Sequence, residues 1–491
     1  MKISELIKDF NIDVIGFYDR EISGITYDSR KVSQDYIFAA MHGSKEEGAK
    51  YIEDAISKGA VAILTDNKTN IEKDIIYLIS NDVSESLGLM SSRFYNNPSK
   101  NMKVYAVTGT NGKTTITYLL EKIFKDANIK LGVIGTIFYR FGDISITAPN
   151  TTPLSSDLHE LLSKMKKYGA DGAVIEASSH ALVQNRISGC EIDVAIFTNL
   201  TQDHLDYHKT MDEYKEAKFL LFSKFLKNSS KEKKYSIINV DDNSGKELVK
   251  KASGIVITYG IKSEADLRAT EILLNKDKTS FNIEFGDKKI KIETKLIGRH
   301  NVYNILAAFG CAYSQNINVE VICSSIKDFE TVPGRFESVN AGQPYTVIVD
   351  YAHTPDALGN LIMAARTIKH KRVISVFGCG GDRDRTKRPL MGEISARMSD
   401  YTIITSDNPR CEKPERIALD VEVGFQRIKC SNYEVIIDRA TAIEKAISMC
   451  DKDDVLLIAG KGHENYQIIG DNKMPYNDKE VVLNILNKNK L

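Results

Sequence analysis

A short segment near position 110 has the residue types and the spacing that bind phosphate. Residues 104–107 have the apolar pattern of a buried strand, a turn with two glycines follows, and a helical pattern begins at about Thr114. The backbone N–H groups of such a turn can surround an oxyanion, and the N-terminus of the helix adds positive potential. Lys113 would place a charge beside the outer phosphates, and Thr114 would offer a hydroxyl to Mg²⁺. The segment therefore predicts a nucleotide phosphate site.

The spacing of this turn departs from the common phosphate-binding loop. The pattern Gly-x-x-x-x-Gly-Lys would need a glycine at position 107, which is Val107. An ordinary glycine turn between a strand and a helix is the alternative, but Lys-Thr directly after a glycine at a helix start favours phosphate binding. The residues predicted to bind the nucleotide here are Gly109, Thr110, Asn111, Gly112, Lys113, Thr114 and Thr115.

Other polar side chains follow apolar, strand-like runs. Glu176 ends the run at 173–176, and His204 lies in the polar segment after the run at 194–198. Because functional side chains gather at the carboxyl ends of parallel strands, both could approach the phosphate site. Mg²⁺ prefers oxygen ligands, so we interpret Glu176 as a metal ligand in preference to a general base. His204 alone is weak support for a site, and the pattern around Lys218 is that of an ordinary helical lysine.

Arginines concentrate on strand-following loops near the C-terminus, at Arg383, Arg385, Arg388 and Arg410. Arginine binds carboxylate and phosphate in bidentate fashion, although loop arginines can also form internal salt bridges. The coincidence of Gly-Gly-Asp-Arg-Asp-Arg at 380–385 with Asp-Asn-Pro-Arg at 407–410 favours an anionic substrate.

The elements that must position these residues alternate between strands and helices, which predicts an α/β fold. We expect three domains, at 1–100, 101–331 and 332–491. The middle domain should hold a mostly parallel, P-loop-type sheet with helices, and the last a doubly wound, Rossmann-like sheet of about six strands. Period-two runs at 281–285 and 289–293 predict a small hairpin as a satellite of the middle sheet.

Composition limits the class of protein. A chain of 491 residues exceeds one hydrophobic core, and its 66 basic and 66 acidic residues balance, which argues against nucleic acid as a main partner. Seven scattered cysteines without a Cys-x-x-Cys pair indicate neither a disulfide framework nor a structural zinc site. There is no run of ~18 apolar residues and no apolar leader pattern, so we expect a cytoplasmic enzyme without a membrane span.

Eight motifs in a fixed order resemble the Mur ligase family. They are Thr-Gly-Thr-Asn-Gly-Lys-Thr-Thr at 108–115, Asn-Thr-Thr-Pro at 150–153, Glu-Ala-Ser-Ser-His at 176–180, Thr-Asn-Leu-Thr-Gln-Asp-His-Leu-Asp-Tyr-His at 198–208, Gly-Arg-His-Asn-Val-Tyr-Asn at 298–304, Pro-Gly-Arg-Phe-Glu at 333–337, Asp-Tyr-Ala-His-Thr-Pro at 350–355 and Gly-Lys-Gly-His-Glu at 460–464. The resemblance runs from residue 28 to about residue 467. It accounts for Val107, because the loop of this family has the shorter form.

The resemblance implies a three-domain, ATP- and Mg²⁺-dependent amide ligase. It is strongest with the members that add the third residue of the peptidoglycan stem peptide. The implied substrates are UDP-N-acetylmuramoyl-L-alanyl-D-glutamate and meso-diaminopimelate, and the implied state is a monomer. The first domain would hold the uridine nucleotide, the second ATP and the third the incoming amino acid.

The resemblance also implies roles for single residues. The positions that match the uridine site are Tyr27, Ser29, Ser44, Lys45 and Glu46. Those that match the muramoyl-peptide site are Asn150, Thr151, Thr152, Ser178, Gln184 and Arg186. Those that match the magnesium environment are Thr114, Glu176, His204 and Lys218, the last as a carbamate. The predicted catalytic set is Lys113, Glu176, His204 and Lys218.

Further positions match the nucleotide and amino-acid sites of the family. Those near adenine, phosphate and ribose are Asn301, Arg335 and Asp350. Those in the amino-acid pocket are Arg383, Asp407, Asn408, Pro409, Arg410, Gly460 and Glu464. Arg410 would bind the distal carboxylate of diaminopimelate, and Glu464 its distal ammonium.

Three alternatives stay open at this point. One is the same ligase reaction with L-lysine, which Arg410 disfavours. Another is a different ligase of the superfamily, such as folylpolyglutamate synthase, which the pattern of the first domain and Asp-Asn-Pro-Arg disfavour. The third is a nucleotide switch without enzymatic activity, which would not need an arginine-lined third domain.

Overall fold

The computed structural model describes residues 1–16, 19–42, 47–66, 74–275, 278–368 and 370–488. Three separate main sheets, each flanked by helices, follow one another along the chain. This arrangement confirms the predicted α/β class with three domains. The predicted boundaries at residues 100 and 331 stay predictions.

The first sheet has five strands in the order β1-β5-β4-β3-β2, with β1 antiparallel to β5 and the other pairs parallel. Its strands are β1 (Asp13–Ile15), β2 (Gly24–Thr26), β3 (Tyr36–Ala39), β4 (Ala60–Thr65) and β5 (Ile76–Ile79). Its helices are α1 (Ile3–Leu6), α2 (Ile52–Ser57) and α3 (Val83–Phe94).

The middle sheet has eleven strands, in the order β16-β15-β14-β13-β12-β11-β6-β10-β7-β8-β9. The strands are β6 (Lys103–Thr108), β7 (Leu131–Ile134), β8 (Phe138–Phe141), β9 (Ile144–Thr147), β10 (Gly172–Glu176), β11 (Val194–Phe197), β12 (Tyr235–Asn239), β13 (Ile255–Gly260), β14 (Leu267–Leu274), β15 (Thr279–Phe285) and β16 (Lys288–Thr294). The helices are α4 (Lys113–Asp126), α5 (Ser155–Lys167), α6 (Ser179–Val183), α7 (Leu205–His208), α8 (Met211–Leu220), α9 (Asn243–Val249), α10 (Arg299–Ser314) and α11 (Val319–Asp328).

The strand β6 is covered by helices on both faces. Tyr105 and Val107 pack into one hydrophobic core with α4 and α10, whereas Val104 and Ala106 pack into a second core with α5. A parallel strand buried on both faces reads as a continuous apolar run, which is why this strand could be predicted from the sequence. Its position fixes the turn that follows it.

The predicted hairpin at 281–285 and 289–293 is confirmed, but the prediction that it is a satellite of the middle sheet is wrong. The two segments do form a hairpin, β15 and β16, but β14 joins them to the middle sheet. The junction is narrow, since β14 pairs with β13 through Leu267 opposite Tyr259 and Arg268 opposite Gly260. Because β14 was not predicted from the sequence, the link that it makes between the hairpin and the middle sheet was also missed.

The third sheet has six strands in the order β17-β18-β22-β19-β20-β21, of which β17 alone is antiparallel, so the prediction of a doubly wound sheet is confirmed. Its strands are β17 (Glu337–Val339), β18 (Thr346–Asp350), β19 (Val373–Phe377), β20 (Tyr401–Ile404), β21 (Tyr433–Val435) and β22 (Val455–Ala459), and a separate hairpin is formed by β23 (Tyr466–Ile469) and β24 (Asn472–Pro475). The helices are α12 (Pro355–Arg366), α13 (Lys387–Met398), α14 (Pro414–Arg427), α15 (Arg439–Met449) and α16 (Asp478–Lys488). Within the described ranges, no helix has the length and apolar character needed to cross a bilayer.

Candidate active site

The phosphate-type turn lies at the centre of the middle sheet. It follows β6, and the two neighbours of β6 are β10, which ends at Glu176, and β11, which is followed by Thr198. Because the connections leave β6 in both directions, a crevice opens at the carboxyl ends of these strands. The fold therefore brings the turn, Glu176 and the segment after β11 to one place.

Two glycines allow the turn to fit against that segment. Gly109 and Gly112 have positive φ values, 142° and 93°. A Cβ on Gly109 would lie 1.8 Å from Thr198 Oγ1, and a Cβ on Gly112 would lie 2.4 Å from Asn304 Oδ1. Both positions therefore exclude a side chain for steric reasons as well as conformational ones.

Backbone and side-chain hydrogen bonds fix the turn to the segment after β11. The N–H of Thr110 donates to the carbonyl oxygen of Asn199 at 2.9 Å, and the N–H of Asn111 donates to Asn199 Oδ1 at 2.9 Å. The hydroxyl of Thr198 donates to the carbonyl oxygen of Asn111 at 2.6 Å. The turn is thus held in shape before any ligand arrives.

Two lysines meet beneath this turn. Lys113 Nζ donates to the carbonyl oxygens of Gly109 and Thr110, each at 2.9 Å, and Lys218 Nζ donates to the same Gly109 oxygen at 2.8 Å. Burial lowers the pKa of Lys113, with Arg335 adding to the effect. Burial and the neighbouring charge of Lys113 hold the pKa of Lys218 well below its usual range. The interpretation of Lys218 as an ordinary helical lysine is wrong, because its side chain is buried and lies against the phosphate-type turn.

The buried carboxylate of Glu176 is held by threonines. Its Oε2 accepts from the hydroxyls of Thr136 at 2.8 Å and Thr114 at 3.2 Å, and its Oε1 accepts from the N–H of Thr136 at 3.1 Å. A Cβ on Gly135 would lie 2.4 Å from Oε1, so glycine leaves room for the carboxylate. Thr136 was missed from the sequence, although Gly-Thr directly after the strand-like run at 131–134 was a usable signal.

His204 lies on the segment after β11, with φ of 56°, at the start of α7. Its ring packs 4.9 Å from the ring of His180, and Nε2 lies 3.4 Å from a carboxylate oxygen of Asp203. Burial lowers the pKa of His204 to about 3, so the ring is neutral at neutral pH. It makes no hydrogen bond to Thr114 or Glu176 among the described residues.

A metal ion would find oxygen donors beside the turn but no complete cage. Thr114 Oγ1 and Glu176 Oε2 lie 3.2 Å apart, and both are hard oxygen donors that suit Mg²⁺. In the described part of the chain, no group of three or more His, Cys, Asp and Glu side chains is placed to hold a metal ion. The donor set therefore fits an ion that takes most of its ligands from a nucleotide and water.

Residues of the third domain reach this turn from the other side. Arg335 Nη2 donates to Thr114 Oγ1 at 3.3 Å, and its guanidinium lies 4.7 Å from the ring centre of Tyr351. Its Nε is buried without a partner in the described structure, which leaves a donor for an anion. Asn111 Nδ2 donates to Asp356 of α12 at 2.9 Å. The second and third domains thus contact each other at the phosphate turn.

A cavity of about 650 Å³ opens beside the turn, between the second and third domains. The predicted nucleotide residues that line it are Asn111, Gly112, Thr115, Asn301, Arg335 and Asp350. Asp350 accepts from the N–H groups of Phe336 at 2.6 Å and Ala352 at 2.7 Å, and burial raises its pKa. Asn301 donates to the carbonyl oxygen of Ile297 at 2.9 Å. The cavity has the size of a mononucleotide site.

A second contact between these domains centres on Asp203. Its carboxylate is 3.2 Å from Lys387 Nζ of α13 and 3.7 Å from His353 Nε2, both in the third domain. Gln202 Nε2 also donates to Thr386 Oγ1 at 2.7 Å. Burial alone would raise the pKa of Asp203, but Lys387, His204 and His353 hold it well below its usual range.

Four of the predicted muramoyl-peptide residues form one network. Thr152 Oγ1 donates to the carbonyl oxygen of Glu176 at 2.6 Å and accepts from the N–H of Ser178 at 3.2 Å. Arg186 Nη1 donates to the carbonyl oxygen of Thr152 at 2.8 Å, and its Nη2 donates to Gln184 Oε1 at 2.7 Å. The network begins at the strand end that carries Glu176.

The other residues predicted for the UDP substrate lie nearby or in the first domain. Thr151 Oγ1 is 3.3 Å from Thr136 Oγ1, and the carbonyl oxygen of Asn150 accepts from the hydroxyl of Tyr139. Tyr27 donates to Asp157 at 2.7 Å, which joins the first domain to α5. Ser29 is buried at the start of a short 3₁₀ turn. Ser44, Lys45 and Glu46 lie outside the described residues.

The four arginines singled out on the loops of the third domain divide into two pairs. Arg388 is buried and binds Glu412 at 2.9 Å and Asp420 at 2.8 Å, and Arg385 binds Glu412 at 3.0 Å. These two form internal salt bridges, so interpreting them as binders of an anionic substrate is wrong. Arg383 Nη1 lies 3.9 Å from a carboxylate oxygen of Asp206, and Arg410 has no carboxylate within hydrogen-bond distance in the ranges described.

Arg410 is held by its backbone at a special conformation. Its φ is 50°, its N–H donates to the carbonyl oxygen of Ile468 at 3.1 Å, and its carbonyl accepts from Gly470 at 2.9 Å. Its Nη1 donates to the carbonyl oxygen of Gly381 at 2.7 Å. Burial and the charge of Arg383 lower its pKa. The hairpin of β23 and β24, which was not predicted, thus positions Arg410.

The remaining predicted pocket residues surround a buried lysine that the sequence did not single out. Lys461 Nζ donates to Asn408 Oδ1 at 3.0 Å and to Glu464 Oε2 at 2.8 Å. Asp407 Oδ2 is buried without a partner in the described structure, and a Cβ on Gly460 would lie 2.7 Å from it. The carbonyl oxygen of Pro409 lies 1.8 Å from where a Cβ of Gly381 would be. The pocket is therefore closely packed around its charged groups.

Comparisons with known proteins give matches along almost the whole chain. The family model for the Mur ligase family, catalytic domain, matches residues 21–95, the Mur ligase middle domain matches 107–312, and the Mur ligase, glutamate ligase domain, matches 334–462. The chain is 42% identical to the UDP-N-acetylmuramoyl-L-alanyl-D-glutamate--2,6-diaminopimelate ligase of Syntrophomonas wolfei, over 99% of both chains. It is 44% identical to the ligase of the same name from Fusobacterium nucleatum, over 97% of this chain and 95% of that one.

A solved structure of a ligase with the same name is also similar to this chain over its whole length. The structure of a UDP-N-acetylmuramoyl-L-alanyl-D-glutamate--2,6-diaminopimelate ligase matches with a TM-score of 0.71 and 31% identity, covering 100% of this chain and 99% of that chain. Domain matches along the chain, full-length sequence identity and a shared three-domain fold lead to one conclusion. This chain belongs to the Mur ligase family.

Proposed function

We propose that the chain is an ATP-dependent amide ligase that joins meso-diaminopimelate to the D-glutamyl carboxylate of UDP-N-acetylmuramoyl-L-alanyl-D-glutamate, a step of peptidoglycan precursor synthesis. The observation that carries this proposal is the hydrogen bond from Arg335 of the third domain to Thr114 of the phosphate turn. It joins the third domain, which carries the arginine-containing pocket, to the turn that lines the nucleotide cavity. The relatives described above are named for this activity, and the similarity of their sequences to this chain supports the proposal.

The reaction that this site would perform has two steps. The D-glutamyl carboxylate attacks the γ-phosphorus of ATP, which forms an acyl phosphate and releases ADP. The free amine of the amino acid then attacks the acyl carbon, the C–O bond to phosphate breaks, and an amide and inorganic phosphate result. The amine loses a proton in this second step.

Two anions must approach each other in the first step, so positive charge is needed where they meet. Lys113, at the start of α4, and Arg335, with its unpartnered Nε, provide that charge. A bound nucleotide would give Lys113 a phosphate oxygen in exchange for the backbone carbonyls that it now binds. The contact between the second and third domains would exclude water from the acyl phosphate.

Magnesium would bind beside the phosphates. We infer that Thr114 and Glu176 supply oxygen ligands, and that His204 and a carbamate on Lys218 complete the surroundings. Mg²⁺ at this position supplies charge neutralisation for the phosphate oxygens. The low pKa of Lys218 supports the carbamate, because the neutral amine is the form that adds to carbon dioxide.

The remaining roles follow the network of contacts. We infer that Thr152, Ser178, Gln184 and Arg186, with Asn150 and Thr151, hold the muramoyl peptide, and that Tyr27, Ser29 and residues 44–46 hold the uridine nucleotide. Asn301 and Asp350 would bind adenosine in the 650 Å³ cavity. Asp407, Asn408, Pro409, Arg410, Gly460, Glu464 and Arg383 would form the amino-acid pocket. We infer a cytoplasmic monomer.

The proposal is tested by ADP release from the purified enzyme. ATP turnover should need both the UDP-linked dipeptide and diaminopimelate, and mass spectrometry should identify the tripeptide product. Turnover without either co-substrate would contradict the ligase assignment and favour a nucleotide switch. Turnover with a folate and glutamate in their place would favour folylpolyglutamate synthase.

L-Lysine is the second amino acid to test. Its distal carbon carries no carboxylate, so it cannot use Arg410. We expect a kcat/KM for L-lysine at least roughly 100-fold below that for diaminopimelate, because a charge-assisted, bidentate contact contributes about 2–3 kcal/mol. Equal use of both amino acids would overturn the diaminopimelate assignment and leave the ligase assignment in place.

A further inference from the structure

We propose that Lys461 is a specificity-determining residue. Its ammonium sets the charge of the amino-acid pocket so that a substrate with a distal carboxylate is preferred over one that lacks it. This inference rests on the proposed ligase function and names the group that tunes its substrate choice. Lys461 is the second residue of Gly-Lys-Gly-His-Glu, in the turn that follows β22.

The first step of the argument is the position of the ammonium. The Lys461 side chain is fully buried, and its Nζ binds two pocket residues, Asn408 Oδ1 at 3.0 Å and Glu464 Oε2 at 2.8 Å. Asn408 Nδ2 donates to the same Glu464 oxygen at 2.9 Å. Lys461, Asn408 and Glu464 therefore form a closed ring of hydrogen bonds.

The ring fixes the direction of both partners. Asn408 Oδ1 also accepts from the N–H of Ile468 at 2.9 Å, so its amide can turn neither way without losing a bond. Glu464 Oε2 accepts two bonds within the ring, which leaves Oε1 as the oxygen for a ligand. Without Lys461, the carboxylate of Glu464 would keep one hydrogen bond within the ring, from the neutral amide of Asn408.

The second step is the charge of the pocket. Arg383, Arg410 and Lys461 contribute three formal positive charges, and Asp407 and Glu464 contribute two negative ones. Two further carboxylates act on the arginines, since Asp206 lies 3.9 Å from Arg383 Nη1 and the charge of Asp382 acts on Arg410. Removing Lys461 would lower the charge balance of the pocket by one. Asn408 connects the cations, since its side chain binds Lys461 and its carbonyl oxygen lies 3.5 Å from Arg410 Nη1.

The two candidate amino acids differ in the charge that they bring. With the attacking amine neutral, diaminopimelate has two carboxylates and one ammonium, for a formal charge of minus one. L-Lysine in the same state has one of each and is neutral. Removing Lys461 would make the pocket more negative by one charge and leave Glu464 without its ammonium partner, which disfavours a substrate of charge minus one. The distal ammonium of L-lysine would take the place of that partner.

The experiment compares amino-acid preference in matched variants of the full-length enzyme. The quantity is the ratio of kcat/KM for meso-diaminopimelate to kcat/KM for L-lysine, with ATP and the UDP-linked dipeptide saturating. Lys461→Met should lower this ratio at least about tenfold while the KM for ATP changes little. Lys445→Met, the same change on the exposed face of α15, is the control and should leave the ratio unchanged.

A double variant separates charge from packing. Lys461→Met/Glu464→Gln removes both charges of the pair, so the pocket keeps the net charge of the wild type and no Glu464 carboxylate is left unpaired. It should discriminate against L-lysine better than Lys461→Met does. If Lys461 had a purely structural role, both variants would lose activity with both amino acids and keep the wild-type ratio, which would overturn the inference. The double variant also gives an answer if Lys461→Met fails to fold.

The wild-type enzyme distinguishes this inference from the proposed function. If the unmodified protein makes no amide from diaminopimelate, the proposed function fails, whatever the variants do. If it does so and the ratio is the same in Lys461→Met, the inference alone fails. Lys461→Arg, which keeps the charge, should retain the preference for diaminopimelate.

Discussion

Lys113 and Lys218 donate hydrogen bonds to the same atom, the carbonyl oxygen of Gly109, at 2.9 and 2.8 Å. Burial lowers the pKa of both lysines, and the positive charge of Lys113 lowers the pKa of Lys218 further. A phosphate would give Lys113 a stronger acceptor, and a carbamate would give Lys218 the opposite charge. The arrangement is thus prepared for both changes.

Replacing Lys113 with Ala should nearly abolish acyl-phosphate formation while the fold persists. The loss of a charge that neutralises developing phosphate charge is expected to lower kcat by roughly a thousandfold. ADP release measures the effect, and Lys125→Ala on the exposed face of α4 is the control. Near-normal turnover in Lys113→Ala would show that the turn does not act on phosphate.

Replacing Lys218 with Ala should leave an almost inactive enzyme. Short carboxylates such as acetate should restore part of the activity, because they could occupy the place of the carbamate oxygens. Lys215→Ala, one turn earlier on α8, should retain activity and gain nothing from acetate. Mass spectrometry of the native protein provides a second test, and an unmodified Lys218 in a fully active, nucleotide-bound enzyme would exclude the carbamate.

Replacing Thr136 with Val should impair the use of magnesium. The change removes the hydroxyl that donates to Glu176 Oε2 at 2.8 Å and keeps the backbone N–H that donates to Oε1. A net loss of about 1 kcal/mol is expected from this bond, so the magnesium concentration for half-maximal rate should rise roughly fivefold. An unchanged magnesium requirement would mean that Thr136 does not orient the carboxylate.

Replacing Arg410 with Ala should raise the KM for diaminopimelate steeply, by roughly two orders of magnitude, with little effect on ATP or the UDP-linked dipeptide. Steady-state kinetics with one substrate varied at a time measure the effect. Arg416→Ala, an exposed arginine in α14, is the matched control. An equal rise in the KM for ATP would instead indicate general damage to the third domain.

Replacing Asp203 with Asn should destabilise the protein at neutral pH by about 3 kcal/mol, because Lys387 is left buried without its counter-charge. The folded-state pKa of Asp203 is below the unfolded value, so its stabilisation is present above pH ~4 and is lost as the pH falls through the folded pKa. Denaturant unfolding at several pH values should show a difference between wild type and variant that shrinks on acidification. A difference that stays constant down to pH ~2 would contradict this linkage.

The class of fold and the general position of the site can be predicted from the sequence. Strands buried on both faces read as apolar runs, and the carboxyl ends of parallel strands lie at one edge, so Lys113, Glu176 and His204 could be expected near one another. The resemblance to the Mur ligases added the role of Lys218, which no local pattern indicates, and assigned the arginine-containing loops of the third domain to an amino-acid pocket.

Only the tertiary structure shows which side chains face each other. Local sequence could not separate Arg388, which Glu412 and Asp420 neutralise, from Arg410, which donates to backbone carbonyls. It also could not reveal the contact of Glu176 with Thr136 or of Lys461 with Asn408, since these pairs are 40 and 53 positions apart in the chain. Such contacts depend on how separate elements pack, and the same packing buries Lys218, which lowers its pKa, and pairs Lys461 with Glu464.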